Sequence, residues 1–159
     1  MSESAFTDKS LQERYAPEGI CFGCGVTNER GLRIRSFPQG DEVVATWHAQ
    51  PWHQAWEGCL SGGIAGALLD CHSNWTAAYA LMRAKGLDKT PNTVTADFHV
   101  RLLAPTPVAG PITLRARAVE TSGNRATIEA TLEAAGQICA TCRGTFVAVK
   151  EGHPAFGRW

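Results

Sequence analysis

Two stretches of the sequence put chemistry-bearing groups in unusual settings. Asp70 stands in Ala-Leu-Leu-Asp-Cys-His, a carboxylate flanked by Leu68, Leu69 and Cys71. Removing such a group from water without a positive partner costs several kcal/mol or raises its pKa, and sites of this kind are enriched in function. A carboxylate so placed can act as a general base or as a nucleophile. Nine residues earlier the chain reads Ser61-Gly62-Gly63, just before an apolar periodic run. Each glycine costs about 1 kcal/mol relative to alanine within a helix. Bare backbone at a helix start, however, offers N–H donors and roughly half a positive charge, which suits an anion or a carbonyl oxygen gaining charge. Ser61 fits the N-cap position, its hydroxyl bonding an N–H one turn in. The nucleophile elbow Gly-x-Ser-x-Gly is missing, because Cys59 holds the place of its first glycine. His72 lies two residues beyond Asp70 and points away from it on a helix.

The surrounding patterns say which elements position these groups. Ile64, Leu68, Cys71, Trp75, Ala78 and Met82 recur at intervals of three or four, which predicts a helix over 62–84 that Gly86 stops. Before it, Leu32–Phe37 and Glu42–Trp47 read as a hairpin turning through Pro38, Gly40 and Asp41. After Pro91 the period drops to two. Val94, Ala96, Phe98, Val100 and Leu102 face one way, and Thr93, Thr95, Asp97, His99 and Arg101 the other. Strands over 112–120, 125–133 and 137–150 follow, joined by Ser122-Gly123-Asn124 and by Gly136. Residues 1–30 are irregular apart from a short helix around Lys9–Tyr15, and 151–159 read as a tail. The result is one α+β domain, with an antiparallel sheet of five to six strands wrapped around one long helix.

Composition narrows the function classes. The chain has 159 residues, enough for one self-sufficient core. Fifteen Lys plus Arg balance fifteen Asp plus Glu, leaving none of the basic excess that nucleic-acid backbones select for. No apolar run approaches the roughly 20 residues of a membrane span, and the first residues are too polar for a secretory signal, so a cytoplasmic protein is expected. Six cysteines then stay as thiols. Two Cys-x-x-Cys pairs, Cys21 with Cys24 and Cys139 with Cys142, suggest a four-thiolate zinc site. The second pair reads as strand, where side chains three apart point to opposite faces, so buried thiols and no metal are expected. His48, His53 and His72 show no ligand spacing. Arg101, Arg115, Arg117 and Arg143 fall on polar strand sides, open to phosphate contact or to plain solvent exposure.

Several motifs together resemble a known family. EGCLSGGIAGALLDCHSNWTAAYA is similar to the stretch of hotdog-fold acyl-CoA thioesterases, of the 4-hydroxybenzoyl-CoA and phenylacetate-pathway type, in which His-Gly-Gly precedes an acidic residue on the central helix. CFGCGVTNERGL, TVTADFHVRLLAPTP and CRGTFVAVK resemble further segments in family order, over about residues 20–150. The resemblance implies a hotdog fold, hydrolysis of an acyl-CoA thioester without cofactor, and a homodimer or dimer of dimers. It places Asp70 at the acidic catalytic position, Gly62 at the helix-start N–H that polarises the thioester carbonyl, and Thr95 near the reacting atoms. Ser61 and Gly63 border the same helix start, and His53 and Trp56 border the acyl pocket. Ser61 stands where the family has histidine. Ala55 stands where several members carry an orienting amide, with Gln54 or His53 as substitutes. These departures leave a non-catalytic acyl-CoA-binding protein as the alternative.

Helical geometry adds a constraint of its own. Gly62 and Asp70 are eight residues apart, about 12 Å along a helix. A reacting carbonyl needs its nucleophile within about 3.5 Å and its oxyanion donor near 3 Å. Donor and carboxylate are therefore expected from two copies of the helix, giving two equivalent sites per symmetric dimer.

Overall fold

The computed structural model describes residues 8–159; the first seven residues of the irregular N-terminal segment lie outside the described residues. After a short helix α1 (Leu11–Tyr15) come β1 (Phe37–Gln39) and β2 (Glu42–Trp47), then β3 (Gln54–Trp56) and β4 (Cys59–Leu60), which form a small hairpin. The long helix α2 (Gly62–Lys85) precedes β5 (Thr93–Leu102), β6 (Ile112–Ser122), β7 (Arg125–Ala134) and β8 (Gln137–Ala148). Six strands make one antiparallel sheet in the order β1-β2-β6-β7-β8-β5. One face of β6 to β8 buries Ile112, Leu114, Ile128, Leu132 and Phe146 against α2. Gly86 closes the helix in the left-handed conformation at φ 62°, where glycine carries no Cβ penalty. Among the described residues no helix is long and apolar enough to cross a membrane.

The helix is buried on more than one stripe. Alongside Leu68, Trp75, Ala78 and Met82, the side chains of Leu69, His72, Ser73, Asn74, Thr76 and Leu81 are also enclosed. Part of the cover comes from residues 8–36, where Ser36 reaches His72 and Cys24 meets Trp75, while Asn74 is held by Thr93 of β5. The expected strand over Leu32–Phe37 does not form: Arg33 turns the chain at φ 58°, and the amides of Leu32 and Ile34 bond to Phe22 and Gly23 of the preceding loop. Leu11, Leu32 and Ile34 join the core from this side, and only Phe37–Gln39 pairs with β2, through a two-residue turn at Gly40 and Asp41.

A polar chain ties this cover to the helix. Gln12 Nε2 donates to Ser36 Oγ at 3.0 Å, and Ser36 Oγ lies 2.9 Å from His72 Nδ1. His72 Nε2 is 2.8 Å from the Val43 carbonyl, which can only accept, so the proton sits on Nε2 and Nδ1 accepts from the serine. Burial pushes the imidazole pKa down to about 4, keeping it neutral. Replacing His72 with Ala leaves two buried polar partners and a void; the expected loss is about 3 kcal/mol in denaturant unfolding. A variant as stable as wild type contradicts this role.

Strand β5 departs from simple alternation. A bulge shifts its register on β8, so that Thr95 pairs with Phe146 while Asp97 pairs with Thr145. Thr95 therefore faces the helix, whereas Asp97 and His99 face the outer side of the sheet, correcting the expectation that all three share one face. Gly144 admits the bulge, since a Cβ there would lie 2.9 Å from the Asp97 carbonyl oxygen. Beyond the bulge Phe98 and Leu102 are 44% and 60% exposed on this edge strand.

Candidate active site

The bulge and the helix bring Thr95 and Asp70 together. Thr95 Oγ1 donates to Asp70 Oδ1 at 2.7 Å, and both residues are half-buried. Burial raises the Asp70 pKa above its ordinary value, the threonine bond draws it part of the way back, and the nearby Cys21 raises it again. No cation balances the carboxylate in any salt bridge among the described residues. A carboxylate with one oxygen fixed by a hydroxyl and poor solvation for its charge is suited to take a proton from water or to attack an electrophile.

The start of α2 holds the other candidate group. The first amide bond of the helix runs from Ala65 N to Ser61 O, and among the described residues Gly62 and Gly63 have no hydrogen-bond acceptor for their N–H groups. Ser61 occupies the N-cap, but its side chain makes no cap bond, contrary to the role its type suggests. Ser61→Ala is accordingly expected to change stability by less than about 0.5 kcal/mol, read by thermal melting, rather than the roughly 1 kcal/mol of a working cap. An open hollow of about 270 Å³ abuts this helix start, lined by Ala55, Trp56, Leu60, Gly62, Leu102 and Leu103. Trp56 is 63% exposed beside it.

Other residues singled out in the sequence have partners of their own. Gln54 is occupied within its loop, its Nε2 donating to the Pro51 carbonyl at 2.8 Å and its Oε1 accepting from Gly58 N at 2.6 Å. His53 Nδ1 accepts from Gln50 N at 2.8 Å and its ring lies 5.0 Å from that of Trp47; burial lowers its pKa. Arg115 pairs with Glu42 and Glu133, while Arg117 and Arg143 both pair with Glu129, all on the outer sheet face away from α2. Cys139 and Cys142 are buried on β8. Sequence reasoning missed the thiol of Cys71, which sits 3.8 Å from that of Cys21; the only signal available was a cysteine on the same helical stripe.

No family model matches the sequence, and no curated protein does. Solved structures do. A thioesterase superfamily protein from Shewanella loihica is 28% identical, with the match covering 74% of this chain and 91% of that one at a TM-score of 0.64. A second thioesterase superfamily protein is 26% identical over 77% of this chain at a TM-score of 0.65, and this chain spans 60% of its length. The protein from the phenylacetic acid degradation operon of E. coli shares the fold at 14% identity and a TM-score of 0.63, covering 75% of this chain and 81% of that one. The six-stranded antiparallel sheet packed on one long helix is the hotdog arrangement, and the chain resembles thioesterase superfamily proteins, two of them above a quarter identity.

Proposed function

We propose that the protein hydrolyses acyl-CoA thioesters to free acid and CoA, as a homodimer or dimer of dimers, without cofactor. The observation that carries the reading is the half-buried Asp70 carboxylate bonded to Thr95, on a helix whose own glycine start lies about 12 Å away with two unused N–H donors. Neither half-site can act alone on one carbonyl. The exposed apolar edge of β5 and the hollow at the start of α2 are where a second copy would complete the site, setting its helix start against Asp70.

In this reading the Gly62 N–H of one subunit binds the developing oxyanion, with Gly63 and Ser61 beside it. Ionised Asp70 of the other subunit activates a water, taking its proton as the oxygen attacks the carbonyl carbon; attack by the carboxylate itself, followed by hydrolysis of the anhydride, gives the same products. CoA leaves as a thiol. Thr95 holds the carboxylate in line. Trp56 and Ala55 border the acyl group in the hollow, and His53 and Gln54 support that wall through their loop bonds. The proposal carries a cytoplasmic location, where CoA thioesters and six reduced cysteines coexist.

A panel of aliphatic and aromatic acyl-CoAs followed with a thiol-reactive dye tests this. Turnover of at least one class supports it. A protein that binds acyl-CoAs and releases no CoA contradicts it and leaves a binding module, the alternative that Ser61 and Ala55 suggest.

A further inference from the structure

Three thiols outside the reaction just described converge beneath the N-terminal loop. Cys21 and Cys24 come from that loop and Cys71 from α2, and the three Sγ atoms all lie within 4.8 Å of one another. We propose that Cys21, Cys24 and Cys71 bind one zinc(II) ion through three thiolates, leaving the fourth coordination position open.

Spacing is the first support. A zinc–thiolate bond of about 2.3 Å in tetrahedral geometry sets neighbouring sulfurs about 3.8 Å apart. Cys21 and Cys71 Sγ are 3.8 Å apart, and the group's outer limit of 4.8 Å leaves about 1 Å of closure for the remaining pairs. A disulfide needs about 2.05 Å, consumes two of the three thiols, and strands the other. All three are free cysteines.

The loop is shaped around the sulfurs. In Cys21-Phe22-Gly23-Cys24-Gly25, Gly25 N donates to the Cys21 carbonyl at 2.8 Å, folding the loop back on itself. A Cβ on Gly25 would lie 2.5 Å from Cys21 N, so only glycine closes this turn. A Cβ on Gly23 would lie 2.2 Å from Cys71 Sγ, so bare backbone is what admits the third thiol. Trp75 Nε1 donates to Cys24 Sγ at 3.2 Å from the next turn of α2. N–H donors aimed at ligating sulfurs are the outer shell that orients and stabilises thiolates on a metal.

The donor set selects the ion. Three sulfurs, with no carboxylate or imidazole joining them among the described residues, favour zinc over magnesium or calcium. Cys24 is buried, whereas Cys21 is half-exposed and gives the ion its route in. Each Zn–S bond forms as a thiol proton passes to buffer, up to three per ion, with no change of oxidation state. The sequence raised two Cys-x-x-Cys motifs on one ion and favoured metal-free thiols instead; the cluster proposed here joins one motif to a helical cysteine.

The test uses the full chain under reductant, stripped with chelator, reloaded with zinc chloride and desalted. About one zinc per chain by mass spectrometry is expected, with cobalt(II) as an alternative load giving near-ultraviolet thiolate-to-metal absorption. Cys21→Ser and Cys71→Ser are expected to weaken zinc binding by roughly a hundredfold or more in a competition titration, whereas Cys139→Ser holds it unchanged. Asp70→Asn also keeps its zinc, so this proposal and the thioesterase reading fail separately. Reduced wild type that retains no zinc overturns the site, as does Cys71→Ser that binds as tightly as wild type. If Cys21→Ser proves unstable, the cobalt spectrum of wild type decides: absorption without thiolate character overturns the assignment.

Discussion

Asp70→Asn is expected to lower kcat for acyl-CoA hydrolysis by about 10²- to 10⁴-fold, the range that a positioned acid–base group contributes. Asparagine keeps the shape and can still accept from Thr95 through Oδ1, so the helix and the β5 bulge stay as they are. What disappears is the charge. The amide can neither take a proton from water nor attack a carbonyl. Because the carboxylate is half-buried and its pKa is raised by desolvation, the substitution is expected to leave the melting temperature unchanged or slightly higher. CoA release and thermal melting on the same preparation separate the two effects. Unchanged turnover removes Asp70 from the mechanism.

Gly62→Pro is expected to cost about 10²- to 10³-fold in kcat, the typical effect of deleting one oxyanion donor. Proline deletes the amide hydrogen under test and little else. Gly62 is the first residue of α2, a position where proline is favoured because its N–H has no helical partner. Ser61 already has φ −59° and ψ 132°, the extended conformation that a residue before proline requires. Gly62→Ala is the control: its Cβ meets only the flexible end of Leu102 at 2.9 Å and its N–H is kept, so activity within a few-fold of wild type is expected. Equal losses in both variants would point to crowding rather than to the donor.

Much of the positioning frame was legible. The 3.6-residue period and Gly86 marked a helix over 62–84, against the observed Gly62–Lys85, and the three strands after Pro105 fall where alternation and turns put them. What misled was alternation read without its interruptions. Thr95 and Asp97 are two apart and share a face in a regular strand, yet the β5 bulge parts them. Gly144, a glycine inside the β8 pattern, was the available sign, because such a residue often marks close backbone approach. Likewise Leu32 and Ile34 alternate like a strand but serve as a loop lid on α2, a tertiary role that no local pattern encodes. The single stripe on α2 was too narrow because the helix is enclosed from two sides: Ser36 of the lid reaches His72, while Asn74 meets Thr93 of β5. Serine at the N-cap named a cap bond that does not form, which leaves the helix-start donors unused.

In the proposed mechanism each reaction site takes its carboxylate from one subunit and its amide donor from the other. Mixing the two defective proteins tests it most directly. Asp70→Asn and Gly62→Pro chains, unfolded together in equal amounts and refolded, give mixed dimers in half of the population. Each mixed dimer then holds one site with both defects and one with neither, so recovery of about a quarter of wild-type activity is expected from two nearly inactive parents. Activity no greater than the mean of the parents, in a sample shown by tag pull-down to contain mixed dimers, would place both groups in one chain and contradict the account.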